Sequence, residues 1–185
     1  MTPVSPTQHR ADLFLDPADD PREGGPSLGD ERSVLTEFLR CQRLTLQVKC
    51  EGLDAEQLAR RAVEPSTMSL LGLVRHLAEV ERTWFRRRFG GQDVPRRYQT
   101  TAEPDGDFDG AVAEQACVDE AWAAWREEVA FAEQFVRDTE LDVVARHHGS
   151  TISLRELLVH LIEEYARHNG HADLLRERID GRLGQ

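Results

Sequence analysis

The chain lacks any apolar run approaching the roughly 20 residues that cross a bilayer, so no membrane association is expected. Its N-terminus also lacks the basic-then-apolar order of a signal peptide. Cysteine is scarce: Cys41, Cys50 and Cys117 are odd in number and widely spaced. That argues against a disulfide framework or a paired-cysteine zinc motif, and it fits a reducing cytoplasm. Cys41 and Cys117 fall within helical patterns and read as small core residues, whereas Cys50 stands close to a helix end. Positive charge is in deficit, with 23 Lys and Arg against 34 Asp and Glu for a net charge of -11. A general nucleic-acid binder needs a basic footprint, which this balance does not supply. Glycine-rich phosphate loops and nucleophile elbows are missing, as are internal repeats and any convincing two-residue alternation.

What is present is helical periodicity. Residues 1–29, rich in Pro, Asp and Gly, read as a flexible arm on which Phe14 and Leu15 are the candidates for docking. Residues 30–185 read as one bundle domain, long enough to bury a full core. The spacing predicts a first helix over about 31–51, with Leu35, Phe38, Leu39 and Leu46 inside and Gly52 at its end. A connector with a short helical turn leads to a second helix over about 68–89, striped by Leu70, Leu73, Leu77, Val80 and Trp84 and stopped by Gly90-Gly91. Residues 92–110 form a polar loop longer than most connections, a candidate pocket rim. The third helix, about 111–138, carries Val118, Trp122, Trp125, Val129, Ala132 and Val136. The fourth begins with a capping box, Ser153 with Glu156, and a staple of Ile152 with Leu157, and runs to about Ile179 before Gly181. Four such helices make an all-α, four-helix bundle the expected fold.

The chemistry concentrates in the fourth helix. Counting alternately by three and four from Leu154 reaches Leu157 and Leu161, then Glu164, His168 and His171, and returns to leucine at Leu175. Three metal-competent side chains thus stand where a bundle helix should present leucines, and burying them unpaired would cost several kcal/mol. Glu164 and His168 share a face at four-residue spacing. His76, beside the stripe of the second helix, is the one histidine outside this segment that sits well inside a helix. Together His76, Glu164 and His168 form a two-histidine, one-carboxylate set suited to zinc or another first-row divalent metal. The same spacing also suits a hydrogen-bonded core histidine beside an intrahelical pair, and the residues alone leave both readings open. His171 is a fourth ligand, a partner of a ligand or a substrate contact. His160 flanks the seam, His147 and His148 stand in a solvated loop, and His9 lies in the arm. Arg86, Arg87 and Arg88, with Arg96 and Arg97 nearby, read as compensation of the helix dipole or as a docking site for an anionic small molecule. Trp84, Trp122 and Trp125 fit core stripes better than a ligand box.

The segments Leu70-Leu71-Gly72-Leu73-Val74-Arg75-His76-Leu77-Ala78-Glu79 and Glu164-Tyr165-Ala166-Arg167-His168-Asn169-Gly170-His171 resemble the DinB-like superfamily over about residues 31–180. That superfamily includes mycothiol-dependent maleylpyruvate isomerase and thiol S-transferases that use mycothiol or bacillithiol; the closer likeness is to its mini-circle-type branch. The resemblance implies a four-helix bundle and a divalent metal, zinc in first place and nickel in second, held by His76, Glu164 and His168. It implies a small-molecule thiol such as mycothiol as cosubstrate and an electrophilic partner. It further implies a homodimer, a common state among members; that nucleic acid is not a partner is the expectation from the charge balance alone. On this reading the chain is a metal-dependent S-transferase or isomerase in which His171 is the candidate catalytic residue. The alternatives are a metal-dependent hydrolase and a non-catalytic bundle that binds a metal or small ligand.

Overall fold

A computed structural model describes residues 14–26, 28–147 and 149–184. Residues 1–13 of the expected arm, with His9, lie outside the described residues, as does His148. The elements in chain order are α1 (Glu31–Cys50), α2 (Ala55–Ala59), α3 (Leu70–Glu81), α4 (Gly106–Asp109), α5 (Gln115–Asp138), the strands β1 (Val144–His147) and β2 (Ser150–Ser153), and α6 (Leu154–Asp180). The chain is mainly helical, with its four long helices as expected. Helix α1 packs chiefly on α6, and α3 packs on α5 while also touching α6. No helix among the described residues is long and apolar enough to cross a membrane.

Local chemistry accounts for where these helices begin. Asp30 accepts from Ser33 N at 2.8 Å, Ser69 from Gly72 N at 3.1 Å and Ser153 from Glu156 N at 3.2 Å. Each side chain satisfies an amide that the helix itself leaves without a partner, a contribution of about 1 kcal/mol per cap. Gly181, at φ 80°, ends α6 in the left-handed region, which a side chain would strain. The core is aliphatic and continuous: Leu46, Leu70, Leu73, Leu77, Leu157 and Leu161 are all fully buried. Phe14, at the start of the described chain, is buried too, with Lys49 Nζ and the Arg182 guanidinium each 3.9 Å from its ring centroid.

Several features depart from the sequence expectations. Helix α5 begins at Gln115, after the short α4 has interrupted the loop. Beyond Glu81 the second long helix widens into a π-helical segment, Arg82–Phe89, in which Gly90 N donates to Phe85 O five residues back at 2.8 Å. Before α6 stands an antiparallel hairpin pairing Ala145 with Ile152. Its strands have four residues each, too few for alternation to register as a period.

Candidate metal centre

Helix α6 is locked in place by one face and presents chemistry from the next. Tyr165 and Asn169, four residues apart, are buried. Tyr165 Oη donates to Glu81 Oε1 of α3 at 2.9 Å and accepts from Trp125 Nε1 of α5 at 2.9 Å. Glu81 is in turn gripped by Arg43 of α1, Nε to Oε1 at 2.8 Å and Nη2 to Oε2 at 2.9 Å. Asn169 Nδ2 donates to the Gln42 carbonyl at 2.9 Å. These bonds leave α6 little freedom to rotate, and they fix the direction of Glu164 and His168, one residue earlier in each case.

The buried seam of α6 therefore differs from the one expected. It runs Leu154, Leu157, Leu161, Tyr165, Asn169, Ala172 and Leu175. From Leu161 the seam steps by four to Tyr165 and by four again to Asn169, where the bonds to α1, α3 and α5 hold it, and it rejoins the expected count at Leu175. Glu164, His168 and His171 border the seam and keep partial access to solvent; the Glu164 side chain is 25% exposed and that of His168 12%.

From α3, His76 meets this pair. Its Nε2 lies 3.3 Å from Glu164 Oε1, and His168 Nε2 lies 3.4 Å from the same oxygen. One potential ligand atom from each of His76, Glu164 and His168 falls within 4.8 Å of the other two. The two imidazole centroids are 4.8 Å apart. Two adjacent imidazoles hold the Glu164 carboxyl well below the usual carboxylate range, through hydrogen bonds from His168 first and His76 second.

The other face of His76 belongs to residues that sequence reasoning missed. Asp107 of α4 is fully buried, and its Oδ2 lies 2.8 Å from His76 Nδ1. Gln99 Nε2 donates to the same Oδ2 at 2.9 Å, and Phe108 stacks on the His76 ring at 5.1 Å. Helix α4 reaches α3 because Gly72 has no side chain: a Cβ there would stand 2.9 Å from Phe108 Cδ1. Arg75 then binds the α4 backbone, Nε to Asp107 O at 2.9 Å and Nη2 to Gly106 O at 3.0 Å. The one available signal was an acid flanked by Gly106 and Phe108 in an overlong loop, which carries no periodicity to read. Burial opposes charge on His76, but Asp107 and Glu164 outweigh it and raise its pKa to about 9.

The remaining candidates lie outside this set. His171 Nδ1 is 3.4 Å from His168 Nδ1, on the side of that ring away from Glu164; burial and the adjacent His168 lower its pKa. His160 sits edge-on to Trp84 at 5.3 Å, with no place at the centre. In the arginine cluster, Arg82 and Arg86 both bond Glu128 of α5 at 2.6 Å, and Arg97 bonds Glu127 at 2.9 Å. Ion pairing with α5 therefore accounts for these three better than the helix dipole does. Cys50 is buried among apolar groups that push its thiol up to about 12, which removes it as a nucleophile.

The donor set suits a divalent cation. With His76 neutral, as a bound cation would require, Asp107 would accept its Nδ1–H and the Nε2 lone pair would face Glu164 and His168. Two imidazoles and a carboxylate match the borderline-soft preference of zinc and leave coordination positions open. No curated protein matches the chain. The family model of the mycothiol-S-transferases, however, spans residues 34–181 and takes in every side chain of this cluster. By that match the chain belongs to the mycothiol-S-transferase family, a DinB-like family.

Proposed function

We propose that the protein is a divalent-metal-dependent S-transferase that joins a low-molecular-weight thiol of the mycothiol type to an electrophile. The observation that carries this reading is the convergence of His76, Glu164 and His168 with Asp107 behind them, in a chain of this family. His76, Glu164 and His168 would hold the cation, with zinc favoured by the donor set. A cation in such a site supplies Lewis acidity that lowers the pKa of a thiol into the neutral range.

The chain's own groups set the rest. Asp107 orients His76 and fixes its proton on Nδ1. His168, offering Nε2 to the centre, keeps its proton on Nδ1 and donates it to His171 Nδ1. Neutral His171 then carries its own proton on Nε2, where it can offer a hydrogen bond to a bound substrate. The partial exposure of Glu164 and His168 leaves the centre open to small molecules.

Loaded protein should convert 1-chloro-2,4-dinitrobenzene to its thioether only when a thiol is supplied, with chloride leaving as the S–C bond forms. Mass spectrometry of the products checks this, and His168→Ala should abolish it. Conversion to the phenol without any thiol would replace transfer by hydrolysis. Asp107→Asn keeps the shape of the side chain and removes its charge. It should weaken zinc binding about 10- to 100-fold in a chelator competition while leaving helix content unchanged. An unaltered affinity would remove Asp107 from the centre.

A further inference from the structure

Two arginines, one near the end of the second long helix and one in the loop after it, have no carboxylate partner among the described residues. Arg87 and Arg96 line a cavity of about 600 Å³ with Gln99, Thr100, Thr101 and Pro104. They also border an adjoining space of about 300 Å³ that includes Asp93, which forms no ion pair with either. The neighbouring cations are all engaged: Arg82 and Arg86 on Glu128, Arg97 on Glu127, and Arg88 over the Trp84 ring at 5.2 Å with a bond to Arg146 O. Arg96 bonds the neutral amide of Gln99, and among the described residues neither Arg87 nor Arg96 pairs with an acid. In a chain with 34 acidic side chains against 23 basic ones, two guanidiniums facing a common space without a carboxylate stand out.

The position of the cavity is also built. Buried Glu79 of α3 accepts from the backbone amides of Arg97 at 2.6 Å and Tyr98 at 2.9 Å, which fixes the loop between Arg96 and Gln99. Gln99 is shared: it lines the cavity and donates to Asp107, the carboxylate behind His76. The π-helical coil contributes as well. Arg82 and Arg86, four residues apart, both turn to α5, and Arg87 points one position on, towards the loop. Guanidinium forks with threonine hydroxyls nearby suit the planar or tetrahedral oxygens of a carboxylate or phosphate.

We infer that Arg87 and Arg96 bind the oxyanion of an acidic small molecule in this cavity, a site that stands without the function proposed above. Isothermal titration of the full chain with succinate, with inorganic phosphate and with neutral succinamide, at matched ionic strength, tests the site. Wild type should bind at least one of the two dianions in the millimolar range or tighter and should not bind succinamide. Succinate alone identifies a carboxylate ligand, and phosphate alone identifies a phosphate ester. The double variant Arg87→Gln/Arg96→Gln should lose about tenfold or more of that affinity. His168→Ala should keep it, which separates the oxyanion site from the metal centre. Absence of dianion binding in wild type, or equal binding in the double variant, overturns the site.

Discussion

Replacing His168 with alanine should empty the metal centre: near-stoichiometric zinc in the parent protein falls below about a tenth of an equivalent per chain. The same result is expected for His76→Ala. Each substitution removes one of the three side chains proposed as ligands, and the two stand on different helices, so each tests the set independently. Elemental analysis after gel filtration reads the outcome, with far-ultraviolet circular dichroism to show that the bundle persists. Retention of metal in both variants would place the ion elsewhere and end the present assignment.

A pH dependence accompanies it. In the metal-free protein the His76 pKa stands at about 9, above the ordinary value of 6.5, because Asp107 and Glu164 outweigh burial. Proton binding therefore stabilises the metal-free fold fully below pH 6.5, and that contribution disappears as pH rises through about 9. A cation competes with the same proton. Its affinity should rise by up to about tenfold per pH unit between pH 6.5 and 9 and then level off. A pH-independent affinity over that interval would show that His76 is not a ligand.

The largest effect on stability is expected at Arg43. Arg43→Met leaves Glu81 buried beneath α1 with only Tyr165 to satisfy it, and should cost about 3–5 kcal/mol. For a domain of this size that lowers Tm by about 6–20 °C. The attraction between Arg43 and Glu81 is offset by the cost of desolvating both, so the loss measures a stranded charge more than the worth of the pair. The double variant Arg43→Met/Glu81→Leu should accordingly recover most of the stability, even though Tyr165 then has only Trp125 as a partner. Thermal melts of the parent and the two variants decide this. A single-variant loss below about 1 kcal/mol would mean that water reaches Glu81 and that the network does not hold α6.

The helices and the polar cluster were legible because each announces itself locally. Leu70, Leu73 and Leu77 repeat at helical intervals, Ser153 caps its own helix, and Glu164 and His168 share a face through their spacing alone. The exact seam of α6 was less legible, because the bonds that bury Tyr165 and Asn169 run to Glu81, Trp125 and Gln42 on other helices. Asp107 could not be read at all. Its place depends on Gly72 admitting Phe108 and on Arg75 seizing the α4 backbone, contacts between segments some thirty residues apart. The arginine cluster was visible, but its partners Glu127 and Glu128 lie on another helix, and only packing shows which arginines they leave unpaired.

The three cysteines of the chain are free, so no covalent bond joins distant parts of it. The contact between His76 and Glu164 links positions 88 residues apart. An ion seated there would act as a reversible crosslink across half the polypeptide. Closing a loop of that length removes conformational freedom from the unfolded chain worth at most about 4–5 kcal/mol. A centre that serves chemistry would then also supply the topological restraint that a secreted protein of similar size draws from a disulfide.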